Sequence, residues 1–243
     1  MNESLAYART NRLHERGPKT LILDLDETLV HSWEDPFFLD DLEIYSDPAI
    51  YRKFHPNGSQ QICYSILLEY AEGEKRIWGL HRPHLYEFLN FAGQYFDNIL
   101  IWSAGIQPYV QDITRQIFLE SGLPPPKMVW SRTNCSKYEH FYHKPIHELT
   151  TDLSNRYYDS LKISPESTLI LDDKTYTFME NPQNGVLIPP YYPGKDRPEG
   201  NPTMEDLLDR SDTALLKFKA WLERPEVRNC TDVRALPKTN IFA

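Results

Sequence analysis

TLILDLDETLVHS, residues 20–32, decides how the rest of the chain is read. The apolar run Leu21, Ile22, Leu23 and Leu25 has the composition of a strand buried on both faces of a parallel sheet. Asp24 interrupts that run, and a carboxylate buried alone is costly. The cost falls if Asp24 stands at the strand's carboxyl end, in the crevice where open α/β sheets hold ligands, with a cation beside it. Asp26 follows two residues on, and residues two apart on an extended chain face the same side. If the backbone bends after Asp24, one carboxylate can ligate a metal and attack while the other handles a proton. The pattern alone leaves a second reading open, in which Asp26 caps a helix and Glu27 sits in its first turn.

The same organisation recurs downstream. Residues 98–102 (NILIW) and 168–171 (TLIL) read as buried strands, the first ending at Ser103-Ala104-Gly105 and the second at Asp172-Asp173. Residues 84–96 form an amphipathic helix with Leu85, Leu89, Ala92 and Phe96 on one face. A further helix covers residues 107–121, with Val110, Ile113 and Ile117 apolar, and is stopped by Gly122 and Pro124–Pro126. Residues 127–130 and 185–188 are short strands, and residues 203–223 a helix or helix pair. Strands alternating with helices imply βαβ units and a parallel sheet. The carboxyl ends of its strands share one edge, so Asp24, Asp26, Ser103 and the Asp172-Asp173 pair converge.

Three parts depart from this rhythm. Residues 1–18 form a polar N-terminal segment with a short helix ending at Gly17-Pro18. Residues 34–80 form an insertion with a turn signal at Pro56-Asn57-Gly58 and strands at 61–69 and 76–80 around a turn at 72–74. That predicts a small antiparallel hairpin layer beside the main sheet. Residues 131–163 carry five aromatics and three histidines and resist assignment, apart from a helix near 152–161. Residues 189–202 are a proline-rich loop, and the tail, residues 224–243, is polar and extended. The expected division is an N-terminal segment (1–18), one domain with its insertion (19–223) and the tail.

A chain of 243 residues with 40% hydrophobic and 25% charged residues fits one large globular domain. The net charge of −9 argues against nucleic acid as a partner. Cys63, Cys135 and Cys230 have neither disulfide-framework nor zinc-site spacing. No signal peptide and no apolar run of about 18 residues is present, so a nuclear or cytoplasmic location away from membranes is expected. His140, His143 and His147 are loosely spaced and read as solvent-facing or hydrogen-bonded rather than as ligands. Asp35–Glu43 reads as a solvated acidic face. Nothing in the residues speaks to the oligomeric state.

The converging residues suit phosphoryl transfer, which needs an in-line nucleophile, a proton donor and positive charge around the phosphoryl oxygens. Asp24 is placed as nucleophile and metal ligand, and Asp26 as the acid that protonates the leaving alkoxide and then the base that activates water. Ser103 donates to a phosphoryl oxygen. Asp172-Asp173 completes a site for Mg²⁺, a hard cation that takes carboxylate and phosphate oxygens. A lysine supplies fixed charge; Lys144 is preferred, with Lys137 and Lys174 as competitors.

DLDETLVHS resembles the DxDxT motif of the haloacid dehalogenase superfamily, in the form carried by phosphatases of the RNA polymerase II carboxyl-terminal-domain family, including its small, NLI-interacting-factor-like members. HRPHLYEFL (81–89), IWSAG (101–105), WSRTNC (130–135), HKPIHELT (143–150) and LILDDKTYTFMENPQNGVLI (169–188) resemble that family's later motifs, in its order. The resemblance implies a Rossmann-like parallel sheet flanked by helices, the haloacid dehalogenase fold. It makes Thr28, Ser103, Arg132 and Lys144 phosphate contacts. It adds the Asp26 carbonyl and Asp173 to Asp24 as Mg²⁺ ligands, with Asp172 holding the lysine. It implies a Mg²⁺-dependent hydrolase of phosphoserine and phosphothreonine in proteins, such as the polymerase repeat. Trp102 is expected to narrow the pocket. Phe37, Phe38 and residues 64–67 are expected to form an apolar slot for a substrate proline, while Tyr176 and Phe178 read as core. The competing readings are a phosphatase of nucleic-acid 3′ ends or metabolites, and a silent phosphopeptide-binding scaffold.

Overall fold

The computed structural model describes residues 17–56, 61–70, 73–151, 160–194 and 201–243. Strand β1 (Thr20–Leu23) is buried along its whole length, between β5 (Asn98–Trp102) and β9 (Thr168–Asp172) and parallel to both. β6 (Met128–Trp130) extends the sheet beyond β5, and β10 (Gly185–Leu187) extends it beyond β9. The order is β10-β9-β1-β5-β6, with every pairing parallel.

Both faces of this sheet are covered, which is why its strands read as unbroken apolar runs. Leu21 and Leu23 turn to one face with Ile99, Ile101, Leu169 and Leu171. There they meet α3 (Leu85–Tyr95), α4 (Gln107–Ser121) and α7 (Ala214–Leu222) through residues such as Phe88, Ile113 and Phe218. Ile22, Leu100, Trp102 and Ile170 turn to the other face, against Ile146, Ile163, Phe178 and Leu149 of α5 (Glu148–Thr151). Gly122 ends α4 in a left-handed conformation, φ 69°, and its N–H closes on the Leu119 carbonyl.

The expected antiparallel layer is present, with three strands. β2 (Val30–Glu34), β4 (Gly73–His81) and β3 (Cys63–Tyr70) form a sheet in the order β2-β4-β3. α1 (Phe38–Asp41) and α2 (Pro48–Phe54) belong to it, the latter capped by Asp47, which accepts from Ala49 N at 2.6 Å. Trp33 and Trp78, opposite each other in register, pack with Phe38, Phe54, Leu80 and Leu207 into a separate small core. β4 begins at Gly73, and Gly73 and Glu74 pair with Tyr70 and Glu69, so of the turn expected at 72–74 only Glu72 falls between the strands, outside the described residues. The φ of 124° at Gly73 is one that only glycine adopts readily, and it lets the return strand start at once. The acidic residues Asp35, Asp40, Asp41 and Glu43 are solvent-exposed, as expected.

Residues 131–163 contain a hairpin that the sequence did not suggest: β7 (Ser136–Tyr138) against β8 (Phe141–His143), turning at Glu139 and His140. The segment after Pro225 also differs from expectation. α6 (Met204–Leu208) and α7 form the expected helix pair. α8 (Pro225–Arg228) follows, and the chain then packs back on the domain, burying Val227, Val233 and Ile241 in the main core. Three scattered aliphatic residues in a polar stretch suffice to anchor it. Residues 1–16, Asn57 and Gly58, most of the helix expected near 152–161, and residues 195–200 of the proline-rich loop lie outside the described residues. Among the described residues no helix is long and apolar enough to cross a membrane. The three cysteines are free thiols.

Candidate active site

Asp24 follows β1 directly, and its N–H still donates to the Leu171 carbonyl of β9 at 3.1 Å. The ladder thus delivers Asp24 to the carboxyl edge of the sheet. The backbone then bends: the Leu25 carbonyl accepts from Leu29 and Val30, and Glu27 takes a left-handed φ of 57°. This turn runs into β2, so no helix starts at Asp26; pairing of Val30–Glu34 with β4 claims the segment instead. The turn leaves Asp26 beside Asp24, and both line a cleft of about 220 Å³.

Lys144 enters the cleft from the loop after β8. Its ammonium is 2.6 Å from Asp24 Oδ1 and 2.6 Å from Asp172 Oδ2, and only 1% of the side chain is exposed. The other Asp172 oxygen accepts from Lys174 N at 2.9 Å. Of the three lysines considered, Lys144 is therefore the one bonded to the aspartates. Lys174 also lines the cleft, with its ammonium 3.8 Å from Glu27, while Lys137 is outside the lining and exposed, over the Tyr142 ring.

The electrostatics favour a cation. Burial pushes the Asp24 pKa well above the ordinary carboxylate value; Lys144 opposes this, and the charges of Asp172 and Asp26 reinforce it. Burial alone would lower the Lys144 pKa, but Asp172 and Asp24 outweigh it and hold the ammonium charged. One buried ammonium therefore faces more carboxylates than it can neutralise. Asp24, Asp172 and Asp173 each offer an oxygen within 4.8 Å of the others. Asp173 Oδ1 is buried without a hydrogen-bond partner among the described residues. An all-oxygen set with an unsatisfied buried acceptor fits a hard divalent cation.

Asp26 is also shifted upward, by burial first and against the hydrogen bond from Tyr109. Its Oδ1 accepts from the Tyr109 hydroxyl, and the Ser103 hydroxyl lies 3.5 Å from its Oδ2. Ser103 is itself fixed by Gly105 N, at 3.0 Å from Oγ. Arg132 lines the cleft beside β5: its Nε donates to the Ala104 carbonyl at 2.7 Å and its guanidinium lies over the Tyr142 ring. Thr28 is not brought to the cleft. It is fully buried, its hydroxyl has no partner among the described residues, and its carbonyl accepts from the buried Arg82.

Several expectations about the walls change. Trp102 is buried on the far face of the sheet against Trp130, so it does not narrow the cleft. Phe38 is consumed by packing on Trp33 and Trp78 and Tyr64 is buried against His81, whereas Phe37 and Leu67 stand exposed, so the two buried rings do not form part of an open slot. The aromatic walls are Phe141 and Tyr142 of β8 with Tyr176, whose ring lies 4.8 Å from that of Phe141. Phe178 is core, as expected, whereas Tyr176 faces the cleft. His143 is buried 2.7 Å from Glu180, His147 is exposed with its Nδ1 3.7 Å from the other oxygen of Glu180, and His140 lines the cleft. Tyr109 had escaped notice; the available signal was a polar aromatic in the first turn of the helix that leaves the Ser103-Ala104-Gly105 strand end.

Comparison with known proteins finds phosphatases. The chain is 23% identical over 237 residues to CTD nuclear envelope phosphatase 1 of Xenopus laevis, covering 98% of this chain and 78% of that protein. It is 24% identical over 178 residues to human carboxy-terminal domain RNA polymerase II polypeptide A small phosphatase 2, covering 73% of this chain and 52% of that one. The fold matches the structure of Fcp1, described as an essential RNA polymerase II CTD phosphatase, with a TM-score of 0.62 at 16% identity over 96% of this chain and 71% of that one. The family model for NLI interacting factor-like phosphatases matches residues 19–234. That span runs from the first residues of the central sheet to the packed tail and contains every aspartate of the cleft: the chain belongs to the NLI interacting factor-like phosphatase family.

Proposed function

We propose that this phosphatase hydrolyses phosphoserine and phosphothreonine in proteins, with Mg²⁺ as cofactor and an aspartyl-phosphate formed on Asp24. The observation that carries the proposal is Lys144 held at 2.6 Å from both Asp24 and Asp172 next to the unpartnered Oδ1 of Asp173. Asp24 attacks phosphorus as Asp26 gives its proton to the leaving alkoxide; Asp26 then takes a proton from the water that cleaves the acyl-phosphate. Lys144 offsets the charge of the approaching phosphoryl group, favours the ionised form of Asp24 against the burial that raises its pKa, and aims it. Arg132 contacts phosphoryl oxygens from the cleft lining, and Ser103, fully buried beside Asp26, donates to one of them. Asp24, Asp173 and the Asp26 carbonyl would hold Mg²⁺, with Asp172 holding Lys144. When bound, the ion supplies Lewis-acid charge that lets two anions meet. The partner is a phosphorylated protein, with the RNA polymerase II repeat first among substrates because relatives are named for it, and the setting is nuclear or cytoplasmic.

Hydrolysis of p-nitrophenyl phosphate, with and without Mg²⁺, tests the chemistry. Asp24→Asn keeps the shape and removes the nucleophile's charge, so kcat is expected to fall by a factor on the order of 10³ or more. Activity that ignores Mg²⁺, or survives in Asp24→Asn, would sink the assignment. Competition among a phosphopeptide, a 3′-phosphorylated oligonucleotide and a sugar phosphate then tests the substrate class.

A further inference from the structure

Asp26 is gripped by a line of hydroxyls that the chemistry above leaves unused. Tyr109, in the first turn of α4, donates to Asp26 Oδ1. Ser32 Oγ, on β2, lies 2.5 Å from the Tyr109 hydroxyl and 2.6 Å from the hydroxyl of Tyr64 on β3. A carboxylate only accepts, and that fixes the direction of the line. Tyr64 donates to Ser32, Ser32 to Tyr109, and Tyr109 to Asp26.

The line is built into the fold. Tyr64 and Tyr109 are only 3% and 8% exposed, in a seam between the helix and the antiparallel sheet. Two glycines make room for them. A Cβ on Gly79 would stand 2.3 Å from the ring and hydroxyl of Tyr64, and one on Gly105 would stand 2.9 Å from the Tyr109 ring. Two buried tyrosine hydroxyls joined by a half-buried serine are an expensive filling for a seam, where phenylalanine and alanine would leave nothing to satisfy. What the hydroxyls add is a hold on one oxygen of Asp26.

We infer that Tyr109, backed by Ser32 and Tyr64, is a positioning residue for proton transfer. It engages Oδ1 and so assigns the exchanged proton to Oδ2, the oxygen on the Ser103 side. The inference rests on Asp26 acting as the acid and base of the proposed reaction. In the first half, the bond from Asp24 to phosphorus forms, the bond to the leaving oxygen breaks, and the Oδ2 proton moves to that oxygen. In the second half, water forms its bond to phosphorus, the Asp24 bond breaks, and the water proton returns to Oδ2. Released from Tyr109, the carboxylate turns about its own torsions and is misaimed in both halves.

The test is a series of aryl phosphates running from p-nitrophenyl to unsubstituted phenyl, read as kcat/KM, which reports the step that expels the leaving group. Nitrophenolate departs without a proton and phenolate does not. Tyr109→Phe removes a single oxygen and is expected to lower kcat/KM by about tenfold on phenyl phosphate but under about threefold on p-nitrophenyl phosphate. Tyr64→Phe should show the same selectivity, more weakly. A merely structural role would lower all substrates alike, and equal losses across the series, or none, would overturn the inference. Asp26→Asn run alongside separates the two levels. If Asp26→Asn steepens the leaving-group dependence and Tyr109→Phe does not, the tether alone is wrong. If Asp26→Asn does not steepen it, the acid–base reading of Asp26 fails and takes the inference with it.

Discussion

Burial holds the Asp173 carboxyl up at about 6, against an ordinary value of 3.8, with Lys174 pulling the other way and Asp172 adding to the rise. Between those values the folded protein carries a proton that the unfolded chain lacks. The stability this proton confers is present at low pH and lost as pH rises through 6. A divalent cation needs the ionised carboxylate, so it must displace the proton below that pH. Stabilisation of the fold by Mg²⁺ is therefore expected to be small near pH 5 and to grow toward a plateau above about pH 7. Melting temperatures with and without Mg²⁺ across that range check it; an increment that does not vary with pH would remove Asp173 from the proposed ligands. At this scale the sequence was legible wherever a polar residue broke or ended an apolar run, as at Asp24, Ser103 and Asp173. Lys144 was not separable from Lys137 and Lys174 by its neighbours, because a long side chain reaches the cleft from a loop with no periodicity of its own. Thr28, which the resemblance offers as a phosphate contact, is fully buried in the turn after Asp24, and a motif position does not tell which way that turn aims a side chain.

The β7–β8 hairpin supplies two of the aromatic walls of the cleft and the ring under the Arg132 guanidinium. A peptide needs that wall, whereas a small aryl phosphate is held mainly by its phosphoryl group. Tyr142→Ala is accordingly expected to raise KM for a phosphopeptide by about tenfold, a loss of roughly 1.4 kcal/mol of binding, with a smaller effect on p-nitrophenyl phosphate. Steady-state kinetics on both substrates decide this, and an equal change in KM would place the peptide elsewhere. The hairpin stayed hidden because each strand has three residues, only His143 of the six is buried, and the connection lacks an Asn-Gly or Asp-Gly turn. β1, β5 and β9 were plain for the opposite reason: burial on both faces demands an uninterrupted apolar run. β2 lay between these cases, since only Val30 of its five residues is buried and its identity depends on pairing with β4.

Across the whole molecule, the polar C-terminal stretch is part of the folded body. Val227, Val233 and Ile241 enter the main core, and the Lys238 ammonium donates to the carbonyls of Gln183, Val233 and Leu236. Burying one such aliphatic side chain contributes about 1.5–3 kcal/mol, so ending the chain after Glu223 is expected to remove several kcal/mol and lower the melting temperature sharply, without touching any cleft residue. A truncated protein that melts where the full chain does would show the tail to be a passenger. Composition hid this because hydrophobic anchors spaced several residues apart carry no period. The order of the central sheet has a consequence in time. β1 is made early in the chain, yet its neighbours β5 and β9 come from far downstream, and Thr20 pairs with both Asn98 and Thr168. Closing such long loops precedes any reward from the contacts they bring, so this topology folds slowly. During synthesis one edge of β1 lacks its partner until the segment bearing Asp172 and Asp173 has left the ribosome, and no chain that stops short of it can hold an assembled cleft.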